Sequence, residues 1–290
     1  MLLPMITPLL AAMALTVGVT ALHRRLPPRM ASRAVAVAMV VVVGAALPTT
    51  WIVGLAYLAH TPIVGDGLEW CSKALGIHES VPGAIGFPAL VIAVLGSVRA
   101  VRALRTQRQF RHDGPGFVEI AGHHRPFAFT LPGRGGHIIL SSALIDLLDD
   151  EEQAVVLAHE ATHGRHRHDR YLLISQIAVK IIPLLRPLGS RLEFSLERWA
   201  DEAAVGHCGD RRFVAKTLRK VALGNAAPLP ALSFAGLGVA ARVAALLAPP
   251  VGNPRQVVVL AVWSVIASAA VLAMFQIHRL AGLVTALCPG

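Results

Sequence analysis

The chain has 290 residues, of which 54% are hydrophobic and 15% charged, and its formal net charge is +10. A mean hydropathy of +0.60 excludes an ordinary soluble globule, whose surface needs more polar residues than this composition supplies. The basic excess does not form a groove-reading stripe: arginines gather in two short stretches beside apolar runs, so direct nucleic-acid binding is not expected.

Four stretches, at about 2–22, 34–59, 81–98 and 257–277, carry no charge. Each is close to the roughly 20 residues that an apolar helix needs to cross a bilayer. One such run suits a buried core helix; four describe a multi-pass membrane protein. The first lacks a basic segment in front and is followed by Arg24 and Arg25, so it reads as a retained span and not a cleaved signal peptide. The third contains Pro82, Gly83, Gly86 and Pro88 and is expected to kink.

The charges between these runs set an expected topology. Arg24, Arg25, Arg29 and Arg33 stand between the first two spans with no acid, which holds that loop in the cytoplasm. The loop 60–80 has Asp66, Glu69 and Glu79 against Lys73 and suits the outer face. Arg99, Arg102, Arg105, Arg108 and Arg111 follow the third span at every third residue, covering most of a helix circumference as a solvated collar. Residues 99–256 are then cytoplasmic and both termini external. Cys71 and Cys288 fall on the oxidising side, where a disulfide between them is possible.

The polar middle, 113–250, is the place for chemistry. Short β-like stretches occur at Phe117–Ile120, Phe127–Leu131 and His137–Leu140, the last two joined by the turn Pro132–Gly136. Ser141 or Ser142 caps a short helix. Asp149 followed by Glu152 is a capping box that starts another helix at about Asp150.

That helix carries "HEATH". His159 and His163, four apart, share a face and can hold one ion through their imidazoles, while Glu160 lies about 100° round, beside the ion. Zinc lowers the pKa of a bound water to about 7, and an adjacent carboxylate can take its proton. Two sources of a third ligand are open. A metzincin pattern would recruit Asp169 but needs glycine at 166, where the chain has His166. A gluzincin pattern draws on a later helix, where Glu193, Glu197 and Asp201 follow at i, i+4 and i+8. Glu197 as ligand and Asp201 as the carboxylate that orients a bound histidine fit the usual division of labour. His166 and His168 read as surface histidines, and His123 and His124 as loop residues.

Membrane spans around a domain with HEATH at 159–163 and E-R-W-A-D at 197–201 resemble the membrane zinc metallopeptidases of the HtpX-like and BlaR/MecR antirepressor-type families. The stretches 128–148, 200–223 and 232–247 look like the antirepressor branch, and the similarity covers about residues 115–250. The resemblance implies a mainly α protein with a small α+β gluzincin domain, an active-site helix beside a short antiparallel sheet, and zinc as cofactor. An edge strand, Phe127–Leu131 or His137–Leu140, would hold the substrate extended. It implies an oxyanion-stabilising cation, for which His207, Arg211 and Arg212 are candidates.

The expected organisation is therefore three spans and the collar over 1–112, a zinc metallopeptidase domain over 113–250, and a fourth span with a short tail over 251–290. The expected function is a membrane-embedded zinc endopeptidase with Glu160 as general base. Its partners would be the bilayer and a protein or peptide substrate, such as a transcriptional repressor. The alternative is a non-hydrolytic signalling protein with a structural metal site, which has no need of Glu160.

Overall fold

A computed structural model describes residues 3–61, 81–109, 112–113, 116–134, 136–224, 234–252 and 256–287. Cys71 and Cys288 lie outside the described residues, as do the side chains of Arg108 and Arg111. The structure is mainly helical with a small mixed sheet. In chain order the helices are α1 (Leu3–Leu22), α2 (Pro28–Leu58), α3 (Gly83–Gln109), α4 (Ser142–Leu147), α5 (Asp150–Arg165), α6 (His168–Ile181), α7 (Arg186–Cys208), α8 (Arg211–Gly224), α9 (Phe234–Leu247) and α10 (Gln256–Leu287). The strands, all between α3 and α4, are β1 (His112–Asp113), β2 (Val118–Ala121), β3 (Ala128–Thr130), β4 (Gly133–Arg134) and β5 (Ile138–Ser141).

Among the described residues, three segments are long and apolar enough to cross a membrane: Pro28–Leu58, Gly83–Thr106 and Val258–His278. α1 adds a shorter apolar stretch, Leu10–Ala21. α2 is the hub and packs against α1, α3, α6, α7 and α10. Its partners' directions follow from close approaches. α3 runs antiparallel to it, since a side chain at Gly54 would meet Leu90, one at Gly86 would meet Tyr57, and Trp51 Nε1 donates to Ser97 Oγ at 3.0 Å. α10 runs parallel to it, with Gly44 beside Ala273 and Ile277, and Leu280 packed near Ile52. Pro88 does not interrupt α3, which continues unbroken through Arg99, Arg102 and Arg105, all exposed.

The sheet order is β2-β5-β3, with β2 parallel and β3 antiparallel to β5. The expectation of an antiparallel sheet holds for β3–β5 alone, because the chain from β2 crosses before it turns back. β5 is the central strand. Both its edges are occupied, so His137–Leu140 cannot accept a further strand and β3 is the edge beside α5.

α5 begins where its acids put it. Asp149 Oδ1 accepts from Glu152 N at 2.8 Å, and Glu152 Oε2 accepts from Asp149 N at 3.2 Å. Glu152, 1% exposed, also pairs with Lys220 and so ties α5 to α8. The other end of α5 is set by two glycines. Gly136, at φ +66°, brings its Cα against Gly164, where any Cβ would stand 2.7 Å away. This contact draws the β3–β5 turn onto α5, the helix that carries HEATH. The chain then reverses at Arg167, at φ 54°, whose side chain grips Asp169 at 2.9 and 3.0 Å. α7 is amphipathic for a reason visible in its packing: Leu188, Leu192, Leu196 and Trp199 bury one stripe against α2. Glu197 and Asp201 occupy the neighbouring face.

Gly164→Ala should therefore destabilise the protein by about 1–3 kcal/mol, as overpacking does where backbone and not a flexible side chain must yield. Thermal unfolding of the purified variant measures it; an unchanged midpoint would show that the turn relaxes freely.

Candidate active site

α5 and α7 cross so that three side chains converge. His159 Nε2 and His163 Nε2 are 3.2 Å apart, and each lies 3.6 Å from an oxygen of Glu197. Ligand atoms at zinc bond lengths in tetrahedral array are about 3.3 Å apart. The separation thus suits a zinc-sized ion, and all the ligand atoms lie within 4.8 Å of one another.

The surroundings orient this group. Asp201, 2% exposed, places Oδ1 3.1 Å from His159 Nδ1. Arg242, from α9, donates through Nε and Nη2 to both oxygens of Asp201 at 2.9 and 2.6 Å, and through Nη1 to Glu197 at 2.7 Å. Glu160 projects on the other side of the histidines. Thr130 Oγ1, on the edge strand, stands 2.8 Å from both the Glu160 carbonyl oxygen and its carboxylate Oε2. All of these face one cavity of about 1020 Å³. One wall is β3 and its turn, and an apolar end is formed by Val155, Ala204, Val214, Leu218 and Val221.

The protonation states follow from burial against charge. Burial alone would keep His159 neutral, but hydrogen bonds to Asp201 and Glu197, with their charges, outweigh it and push its pKa up to about 9. Burial would likewise raise Glu197, yet His159, Arg242 and His163 hold it down at about 2. His163 is lowered by burial and then by the His159 charge. The carboxylates of Glu197 and Asp201 thus share two cationic partners, Arg242 and His159.

The structure brings His159, Glu160, His163, Glu197 and Asp201 together around one cavity. Glu193 is exposed a turn earlier on α7 and does not line it. His207 is exposed on the last turn of α7 and stays outside the cavity, as does exposed Arg212. Arg211 pairs with Glu202 and donates to the carbonyls of Leu246 and Ala245. Asp169 is committed to Arg167.

Three participants escaped sequence reasoning. Arg242 is a lone charge in the apolar run "GLGVAARVAALL", and a cation there needs a buried partner. Thr130 gave no signal, because only tertiary packing sets β3 on α5. His168 is no surface histidine: it is 1% exposed and lies against His163. Its pKa falls to about 3, through burial first and the His163 and His166 charges next.

Two histidines one helical turn apart, a carboxylate from a second helix and a free glutamate beside them make the donor set of a mononuclear metallohydrolase. Residues 98–194 match the model of Peptidase family M48. That segment, from the end of the third apolar run through the HEATH helix into α7, is what the chain shares with this family. The match ends three residues before Glu197. No curated protein and no solved structure is matched.

A zinc ion held by this group would have to displace the His159 proton, so its apparent affinity should rise about tenfold per pH unit below pH 9 and level off above it. The sign is that of a raised histidine: protonated and competing below its pKa, neutral above. Chelator competition from pH 7 to 10 measures the slope, and in Asp201→Asn the plateau should begin at lower pH. A flat wild-type profile between pH 7 and 9 would contradict the His159–Asp201 coupling.

Proposed function

We propose that the protein is a multi-pass membrane zinc endopeptidase in which His159, His163 and Glu197 hold the ion. The observation that carries this reading is Glu160: its carboxylate is positioned by Thr130 at the cavity wall, next to the histidines and outside the ligand group. A structural metal site would have no use for it. A bound zinc ion would acidify a water molecule and polarise a carbonyl. Glu160 takes the proton of that water and returns it to the departing amine. Asp201 keeps His159 oriented with Nε2 toward the ion, and Arg242 balances the charge of Glu197 and Asp201. Arg242 is also the cation nearest the ligand group, better placed to meet an oxyanion than His207.

The substrate in this reading is a protein segment in extended form. β3 is the sheet edge along the cavity, and Ala128–Gly133 line it, so a strand can add there by backbone hydrogen bonding. The apolar end of the cavity would then take an apolar side chain. The basic residues that flank the first and third spans support a cytoplasmic catalytic domain, where a transcriptional repressor is one accessible class of substrate.

Glu160→Gln should retain zinc at wild-type stoichiometry while losing cleavage of an unfolded protein substrate by at least about a hundredfold. Wild-type proteolysis in this variant would refute the mechanism. For topology, a reporter fused after Arg111 should be active only in the cytoplasmic compartment; activity confined to the outside would reverse the orientation.

A further inference from the structure

The two ligand histidines have different supporting partners. His159 has a carboxylate, Asp201, on Nδ1. His163 has an imidazole: His163 Nδ1 and His168 Nδ1 are 2.9 Å apart. His168 is 1% exposed, and its Nε2 has no hydrogen-bond partner. Its ring is fixed on two sides, edge-on to His163 with centroids 4.7 Å apart and tilted against Trp199 at 4.8 Å. Trp199 in turn carries Arg29 of α2 over its face at 5.6 Å.

We infer that His168 is a positioning residue that holds His163 in the tautomer able to bind zinc, an inference that rests on the zinc site proposed above. A 2.9 Å contact between two neutral imidazoles needs one proton between them. There are two ways to supply it. If His168 Nδ1 donates, the His163 proton sits on Nε2, the atom that faces Glu197 and His159, and the lone pair needed by the ion is blocked. If His163 Nδ1 donates, its Nε2 lone pair is free for the ion, and the His168 proton goes to Nε2. That second arrangement leaves a buried donor unpaired, which carries a desolvation cost. The ion therefore needs the arrangement in which His168 is the acceptor, and the cost of that arrangement falls on His168 Nε2. An acceptor that has no proton to donate at this point would remove the conflict.

The test is zinc affinity by chelator competition in the full-length protein in detergent, comparing wild type with His168→Leu and His168→Asn. His168→Leu should bind zinc about 10–100-fold more weakly, the usual effect of losing such an outer partner. His168→Asn, whose side-chain carbonyl can accept from His163 Nδ1, should match or exceed wild type. The zinc-free Leu variant exchanges one unpaired nitrogen, His168 Nε2, for another, His163 Nδ1, so its unfolding temperature should stay near that of the wild type. Wild-type affinity in His168→Leu, or equal weakening in both variants, would overturn the inference and leave His168 a packing residue. If wild type itself fails to bind zinc, the proposed zinc site fails, and with it this inference.

Discussion

The site depends on one buried ion pair. Asp201 is ionised and almost wholly enclosed, and a carboxylate in that position is stable only if it is paired and hydrogen-bonded. Arg242 meets both its oxygens, and the same guanidinium reaches Glu197. One cation on α9 thus fixes two carboxylates on α7, and Asp201 fixes a histidine on α5. The bidentate fork is what lets a single side chain set the angles of three helices. A lysine there would offer the charge without that geometry.

α7 also joins the site to the membrane-spanning part of the chain. Its leucine stripe and Trp199 are buried against α2, and Glu197 and Asp201 lie on the adjoining face of the same helix. A shift of α2 relative to α7 would therefore move the Glu197 carboxylate as well as the Trp199 ring that packs on His168. α3 adds a second link, since it leaves the apolar region and contributes Leu104 to the cavity wall. The geometry of the candidate site and the packing of the apolar helices are thus one construction.

On the substrate side, the edge strand is held by backbone proximity. Gly136 and Gly164 approach too closely for any side chain, and this approach lets a threonine on β3 touch a glutamate on α5. The strand that would receive a peptide and the carboxylate that would act on it are therefore positioned by the same contact.

Much of this was legible in the sequence because it rests on local rules. Apolar runs of bilayer length, the capping box at Asp149, the four-residue step from His159 to His163 and the four-residue step from Glu197 to Asp201 are properties of neighbours along one chain segment. Such properties fix which residues share a face and where a helix begins. They do not fix what that face meets. Arg242 reaching across 41 residues to Asp201, Thr130 reaching 30 to Glu160, and the mixed order of the sheet are set by long-range packing. His168 shows the difference most plainly: its spacing from His163 is five residues, which on a continuous helix would turn it away. Only the reversal at Arg167 folds it back against His163.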